Sequence, residues 1–204
     1  MQARLAILTA LGLIVGDGVA AQTRVHTETI RPAARPGAPP TPTVATEPNV
    51  PAEIITELSR LPVAVARTRE RILQAARSGD LEKLLLVMQS NETLPVFSFA
   101  DEKDPIAFWK ANFPDSDGVE ILATLIQILE TGFVHVAAGT PQDMYVWPYF
   151  AQTPLKDLSR DQKVELFRIV TGSDYKEMNE FGAYSFYRVG IAPDGVWHYF
   201  VAGE

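Results

Sequence analysis

The chain has 204 residues, of which 47% are hydrophobic and 21% are charged, proportions typical of a globular domain with some additional unstructured chain. Its formal net charge of −7 argues against nucleic acid as a partner, because an acidic surface repels phosphate. The chain contains no cysteine, which excludes disulfides, thiolate metal sites, cysteine nucleophiles and a lipid anchor attached through cysteine.

The first 21 residues have the pattern of a cleavable secretory signal peptide. Arg4 supplies the positive charge, residues 5–15 form an apolar run, and small residues precede Gln22. The run is shorter than the roughly 20 apolar residues that span a bilayer, and Gly16 and Gly18 interrupt it. We therefore expect cleavage near Ala21, a mature protein in the periplasm or secreted, and no membrane insertion after cleavage.

Residues 22–51 are rich in proline, threonine and alanine. This segment lacks the apolar periodicity that would bury it, and its composition favours extended, polyproline-like chain. The sequence therefore predicts a disordered linker over 22–51 and a single globular domain over 52–204. The prolines on which this rests are Pro32, Pro36, Pro39, Pro40, Pro42, Pro48 and Pro51.

Helical spacing dominates the first half of the predicted domain. Apolar residues from Ile54 to Leu61 predict a first helix, and the run Val63–Arg77 predicts a second, with an arginine-rich face toward solvent. Asp80 is a good N-cap for a third helix ending near Met88. The second and third helices together predict a helical hairpin.

The next elements are a short strand over 94–99 and two further helices. Asp104 followed by proline predicts a helix start, and Asp117 with Glu120 has the spacing of a capping box before the apolar run 121–129. This run is the most apolar helical segment, so we expect it to be the central core helix.

Strands appear later in the chain. Segments 133–137 and 144–147 predict two strands, Ser159 with Gln162 predicts a capped helix, and a short helix over 174–181 follows. Strands over 184–191 and 196–202, joined by Pro193-Asp194-Gly195, predict a closing hairpin. The order indicates an α+β fold, with the helices packed on one face of a small antiparallel sheet.

Aromatic residues cluster in the predicted strands and offer the main candidate binding surface. Strand alternation places Tyr145 with Trp147 on one face, and Trp197 with Tyr199 on one face opposite His198. If these rings are exposed, they can stack on sugars or anchor a partner protein. The alternative is that they fill the space between the sheet and the helices.

Histidines and carboxylates provide the candidates for catalysis. His135 and His198 both lie in predicted strands, and with an acid they would form a metal or proton-transfer site if the fold brought them together. Asp101, Glu102, Asp104, Asp115, Asp117 and Glu120 concentrate around one helix, although two of them are already explained as helix caps. We expect no metal and no cofactor.

The segments Tyr145–Ala151 and Gly195–Glu204 resemble an uncharacterised family of exported proteobacterial proteins. The resemblance covers roughly residues 94–204. The resemblance supports export, but no activity, cofactor or catalytic residue follows from it.

The sequence thus favours an exported, non-catalytic binding or interaction module of the cell envelope, with peptidoglycan or an envelope protein as its partner. The competing hypothesis is a small envelope hydrolase that acts on cell-wall glycan or peptide through carboxylates and histidine. Convergence of His135, His198 and an acid in a cleft would favour the enzyme, and an exposed aromatic face would favour the binding module.

Overall fold

The structure is a computed structural model that describes residues 53–100 and 102–203. The predicted signal peptide at 1–21 and the predicted linker at 22–51 lie outside the described residues. Within the described part of the chain, no helix has the length and apolar character needed to cross a bilayer.

Three of the six helices in the described residues begin at predicted caps. The side chain of Asp80 accepts a hydrogen bond from the backbone N–H of Glu82, and Asp104 accepts from two N–H groups of the following turn. Ser159 forms the predicted capping box with Gln162. The helices are α1 (Val63–Arg77), α2 (Leu81–Gln89), α3 (Pro105–Asn112), α4 (Glu120–Leu129), α5 (Arg160–Leu166) and α6 (Gly172–Phe181).

The start of α4 differs from the prediction, because Asp117 does not cap it. Asp117 has a left-handed backbone with φ 50°, and its carboxylate lies 3.0 Å from Nζ of Lys110. The hydroxyl of Ser116 accepts the hydrogen bond from the N–H of Glu120 instead, at 3.2 Å. The predicted core role is confirmed, since α4 packs against α1 and buries one apolar side.

In the part of the chain that the structure describes, five antiparallel strands form one sheet in the order β1-β2-β3-β4-β5, so strands adjacent in sequence are also adjacent in the sheet. The α+β class and the closing hairpin are therefore confirmed. The strands are β1 (Ile54–Ile55), β2 (Phe133–Val136), β3 (Met144–Trp147), β4 (Arg188–Ile191) and β5 (Trp197–Val201).

Two predicted elements have another form. The helix predicted from Ile54 to Leu61 is wrong: Ile54 and Ile55 pair with β2, and a 3-10 turn over Leu58–Arg60 follows. β-Branched side chains such as isoleucine fit this half-buried edge well. The strand predicted over 94–99 is reduced to a single parallel bridge between Val96 and Tyr199.

Helices and turns cover both faces of the sheet, so the expectation of one covered face is wrong. The first four helices pack on the face that carries Trp147, Val189 and Phe200. The other face, with Val134 and Val146, packs against α5, α6 and the turns after β3. This double covering explains why both sides of the central strands are apolar.

Candidate binding groove on the sheet

Three of the four aromatic residues proposed for a binding surface belong to the core. Trp147 is 0% exposed, Trp197 is 1% exposed and Tyr145 is 7% exposed. Trp147 packs against Phe133, with ring centroids 5.0 Å apart. These rings fill the space between the sheet and the first four helices, so a ligand cannot reach them in the folded protein.

A register shift in β5 separates the fourth aromatic residue from the others. Trp197 pairs with Ile191, and Tyr199 pairs with Gly190, so His198 is the additional residue of a bulge. The bulge reverses the alternation, which places Trp197 and Phe200 on the same face. The prediction that Trp197 and Tyr199 share a face is therefore wrong, and Tyr199 lies on the opposite side.

The ring of Tyr199 lies across β4 because its partner there is glycine. A Cβ atom built on Gly190 would collide with the ring of Tyr199 and with the sulfur of Met144. Glycine inside a strand often marks such a close approach. The missing side chain thus fixes the position of the tyrosine ring on the second face of the sheet.

Tyr199 contributes to the floor of an open groove, which we call the Arg188 groove. Its volume is about 520 Å³, which falls within the usual range of small-molecule sites. Phe99 is 61% exposed and Val96 is 49% exposed, so the groove presents apolar surface to solvent. The groove is lined by Val96, Phe99, Ala151, Gln152, Arg188, Tyr199 and Val201.

Among the described residues, Arg188 is the one charged side chain that lines this groove. It is half-buried, and none of the ion pairs between described residues includes it. Burial raises the pKa of Tyr199, while the nearby positive charge of Arg188 opposes that rise. The groove therefore combines an apolar wall with a cation close to its tyrosine floor.

His135 contacts Asp143 across the β2–β3 connection. Its Nε2 lies 2.6 Å from Oδ1 of Asp143, and its ring stacks on Tyr145 at 4.2 Å. The other oxygen of Asp143 accepts from the backbone N–H of Gly139, and these two hydrogen bonds lower the pKa of the Asp143 carboxyl. Both oxygens of the acid are thus used in holding the loop closed.

The structure does not bring the two strand histidines together. His135 is on β2 and His198 is on β5, and three strand spacings amount to about 14 Å. Asp104 caps α3 and Asp117 pairs with Lys110, as described above. Among the described residues, no group of three or more histidine and carboxylate side chains has metal-binding geometry.

Arg188, Val96 and Phe99 were not predicted from the sequence as candidate site residues. One signal was present: Arg188 precedes Val189, Gly190 and Ile191, so a charged residue and a glycine occupy one face of an otherwise apolar strand. That pattern indicates a polar group and a close approach on the same side of the sheet.

No protein-family model matches the chain, and no curated protein and no solved structure matches it either.

Proposed function

We propose that this protein is a non-catalytic binding module of the cell envelope, which works in the periplasm or as a secreted protein and binds its ligand in the Arg188 groove. The observation that carries the proposal is a half-buried, positively charged side chain in an open apolar groove, with no carboxylate of the described residues paired to it. The signal-like N-terminus supports the compartment.

The lining of the groove supports one ligand chemistry. Val96, Phe99 and Val201 favour an apolar body, and the guanidinium favours a carboxylate or a phosphate, to which it can donate two hydrogen bonds. The ligand is therefore an amphipathic molecule with an apolar chain and one anionic group. A groove of about 520 Å³ suits a small molecule of this kind better than a folded protein surface.

The direct test compares ligands that differ only in charge. Octanoate, octyl phosphate and uncharged octanol are titrated into the mature full-length protein by isothermal titration calorimetry. A hydrogen bond to a charged group is worth about 1.5–3 kcal/mol, so the two anions are expected to bind at least about tenfold more tightly than octanol. Equal affinity of octanol and octanoate would contradict the proposal.

Variants locate the binding to the groove. Arg188→Met keeps the apolar stem and removes the charge, so it should abolish the preference for the anions. Arg160→Met removes an exposed arginine on α5 and is the matched control, which should bind as the wild type does. Asp101→Asn and Glu204→Gln change acids outside the described residues, and tighter binding by either variant would identify an internal competitor for Arg188.

Two further measurements test the envelope part of the proposal. The N-terminus of the protein recovered from the periplasm or the medium should begin at Gln22, and an intact N-terminus on cytosolic protein would contradict export. Immobilised protein should capture an envelope component from a native extract, and Arg188→Met should lose it. Capture of peptidoglycan or of an envelope protein that is unchanged in Arg188→Met would place the binding surface elsewhere.

A further inference from the structure

A second cleft lies between α1, the end of α2 and the β4–β5 turn, and it is separate from the Arg188 groove. Its volume is about 520 Å³. Arg67 and Arg71 on α1 form one wall, and Glu92 and Asp194 lie on the other walls. We call it the arginine cleft, because it contains Arg67 and Arg71, two arginines of α1 that form no ion pair with other described residues.

Arg67 and Arg71 differ from the other arginines of α1. Arg69 donates two hydrogen bonds to the carbonyl oxygen of Leu129, and Arg77 pairs with Glu130 at 2.9 Å. Arg67 and Arg71 are absent from the ion pairs of the described residues. They stand one helical turn apart, where like charges repel, so an anion placed between them would relieve that repulsion.

The acidic walls of the cleft are also not engaged in ion pairs. Neither Glu92 nor Asp194 lies within 4.0 Å of a positively charged side chain of the described residues. Asp194 uses Oδ1 to accept from the N–H of Val196, which leaves Oδ2 for another donor. The cleft therefore carries positive charge on one wall and negative charge on the others.

Hydrogen bonds hold these walls in place. The hydroxyl of Thr68 on α1 donates to the carbonyl oxygen of Gly195 at 2.7 Å, and Asn91 after α2 donates to the carbonyl oxygen of Trp197 at 3.0 Å. Gly195 has φ +92°, and a Cβ there would lie 3.0 Å from the carbonyl oxygen of Ala64. The backbone segments that form the walls are therefore held together before a ligand arrives, which lowers the entropic penalty of binding, while the four charged side chains are exposed to solvent.

We propose that the arginine cleft binds a short peptide with free ends and small side chains. Its carboxylate lies between Arg67 and Arg71, and its ammonium group faces Glu92 and Asp194. Small apolar side chains of the peptide contact Val87, which also lines the cleft. This site is independent of the Arg188 groove and takes a ligand of a different class.

Blocked peptides test the requirement for both charges. Alanyl-alanine, its N-acetyl form, its C-terminal amide and inorganic phosphate are titrated into the mature full-length protein, and binding is followed by amide chemical shifts. The free dipeptide should bind about tenfold or more tightly than either blocked form, since each blocked form lacks one charged contact. Tighter binding of phosphate, equal binding of a blocked form, or no binding at all would overturn the proposal.

Paired substitutions locate the site. Arg67→Gln with Arg71→Gln should weaken dipeptide binding about tenfold or more, and Glu92→Gln should weaken it by a smaller factor. Arg160→Gln is the control and should bind as the wild type does. Thermal unfolding of each variant confirms that it is folded, and unchanged dipeptide affinity in the folded double variant would overturn the proposal.

Discussion

Arg69 offers a clear test of how α1 is fastened to α4. Its Nε and Nη2 donate to the carbonyl oxygen of Leu129 at 3.0 Å and 2.7 Å, at the end of α4 where carbonyl groups lack helical partners. Arg69→Met keeps most of the apolar stem and removes both donors. A hydrogen bond to a charged group contributes about 1.5–3 kcal/mol, and the half-buried setting of Arg69 favours the lower part, so we expect a loss of about 2 kcal/mol.

Urea unfolding of the mature protein measures this loss. With a denaturant slope of about 2 kcal/mol/M, the midpoint should fall by about 1 M. The melting temperature should fall by about 4–8 °C, since 1 kcal/mol shifts a domain of this size by about 2–4 °C.

Arg67→Met is the matched control for this experiment, because Arg67 is exposed on the same helix and has no ion pair among the described residues. It should change the free energy of unfolding by less than about 0.5 kcal/mol. Arg69→Lys should lie between the two, since one ammonium group cannot reproduce a planar fork. A loss in Arg69→Met no larger than that in Arg67→Met would refute the reasoning.

Four other measurements test the remaining structural claims. Gly190→Ala should destabilise the fold by about 1–3 kcal/mol in urea unfolding and should weaken octanoate binding, because the added methyl group displaces the ring of Tyr199. Gly172→Ala is the control: there is open space around Gly172, so this variant should change neither stability nor binding. Tyr149→Phe removes the 2.9 Å hydrogen bond to Glu165 and should lower the free energy of unfolding by about 1.5 kcal/mol, whereas Tyr175→Phe should change it little. The pKa of Asp143 is lowered in the folded state, so its contribution is complete above the unfolded value of about 3.9 and is lost as the pH falls through the lower folded value. The stability difference between the wild type and Asp143→Asn should therefore shrink below about pH 4, and a constant difference would contradict this. Finally, the three tryptophans are at most 1% exposed, so iodide should quench their fluorescence only weakly until the protein unfolds. Strong quenching of the native protein would show that a tryptophan is exposed and would contradict this placement.

Local signals in the sequence were sufficient for most helices. Asp80, Asp104 and Ser159 each accept a backbone N–H at the start of a helix, a short-range interaction that depends only on neighbouring residues. Asp117 failed as a cap because the tight reversal before α4 gives it a left-handed backbone and a contact with Lys110. That reversal depends on the buried Gly118, because its φ is +82° and a Cβ atom at this position would lie only 3.1 Å from the backbone nitrogen of Lys110.

Long-range pairing accounts for what the sequence did not predict. The segment at Ile54 and Ile55 has helical spacing, but its pairing with β2 decides its conformation. The bulge shifts the pairing register of β5 by one residue at His198, and that shift alone places Tyr199 on the face opposite Trp197. Alternation in a strand therefore identifies which residues share a face only when the register is continuous.

The candidate site was predicted only in part for the same reason. From the sequence, Tyr199 is proposed for a binding surface, but it is grouped there with rings that the structure buries. Val96 and Phe99 lie about one hundred residues before Tyr199 in the chain. A single β-bridge, between Val96 and Tyr199, brings their segment to the groove. Such a contact leaves no periodic signal, because it depends on how distant segments meet.

The short bridge at Val96 also has a consequence for self-association. An unpaired strand edge is a template on which a second chain can add, and proteins commonly cover or shorten such edges. Val96 donates to the carbonyl oxygen of His198 and accepts from the N–H of Phe200, both at 2.8 Å, so the middle of β5 has no free backbone groups there. At the other edge, β1 offers only its two residues, Ile54–Ile55. Among the described residues, the sheet thus presents little unpaired backbone on which a second chain could add and extend it into a fibril.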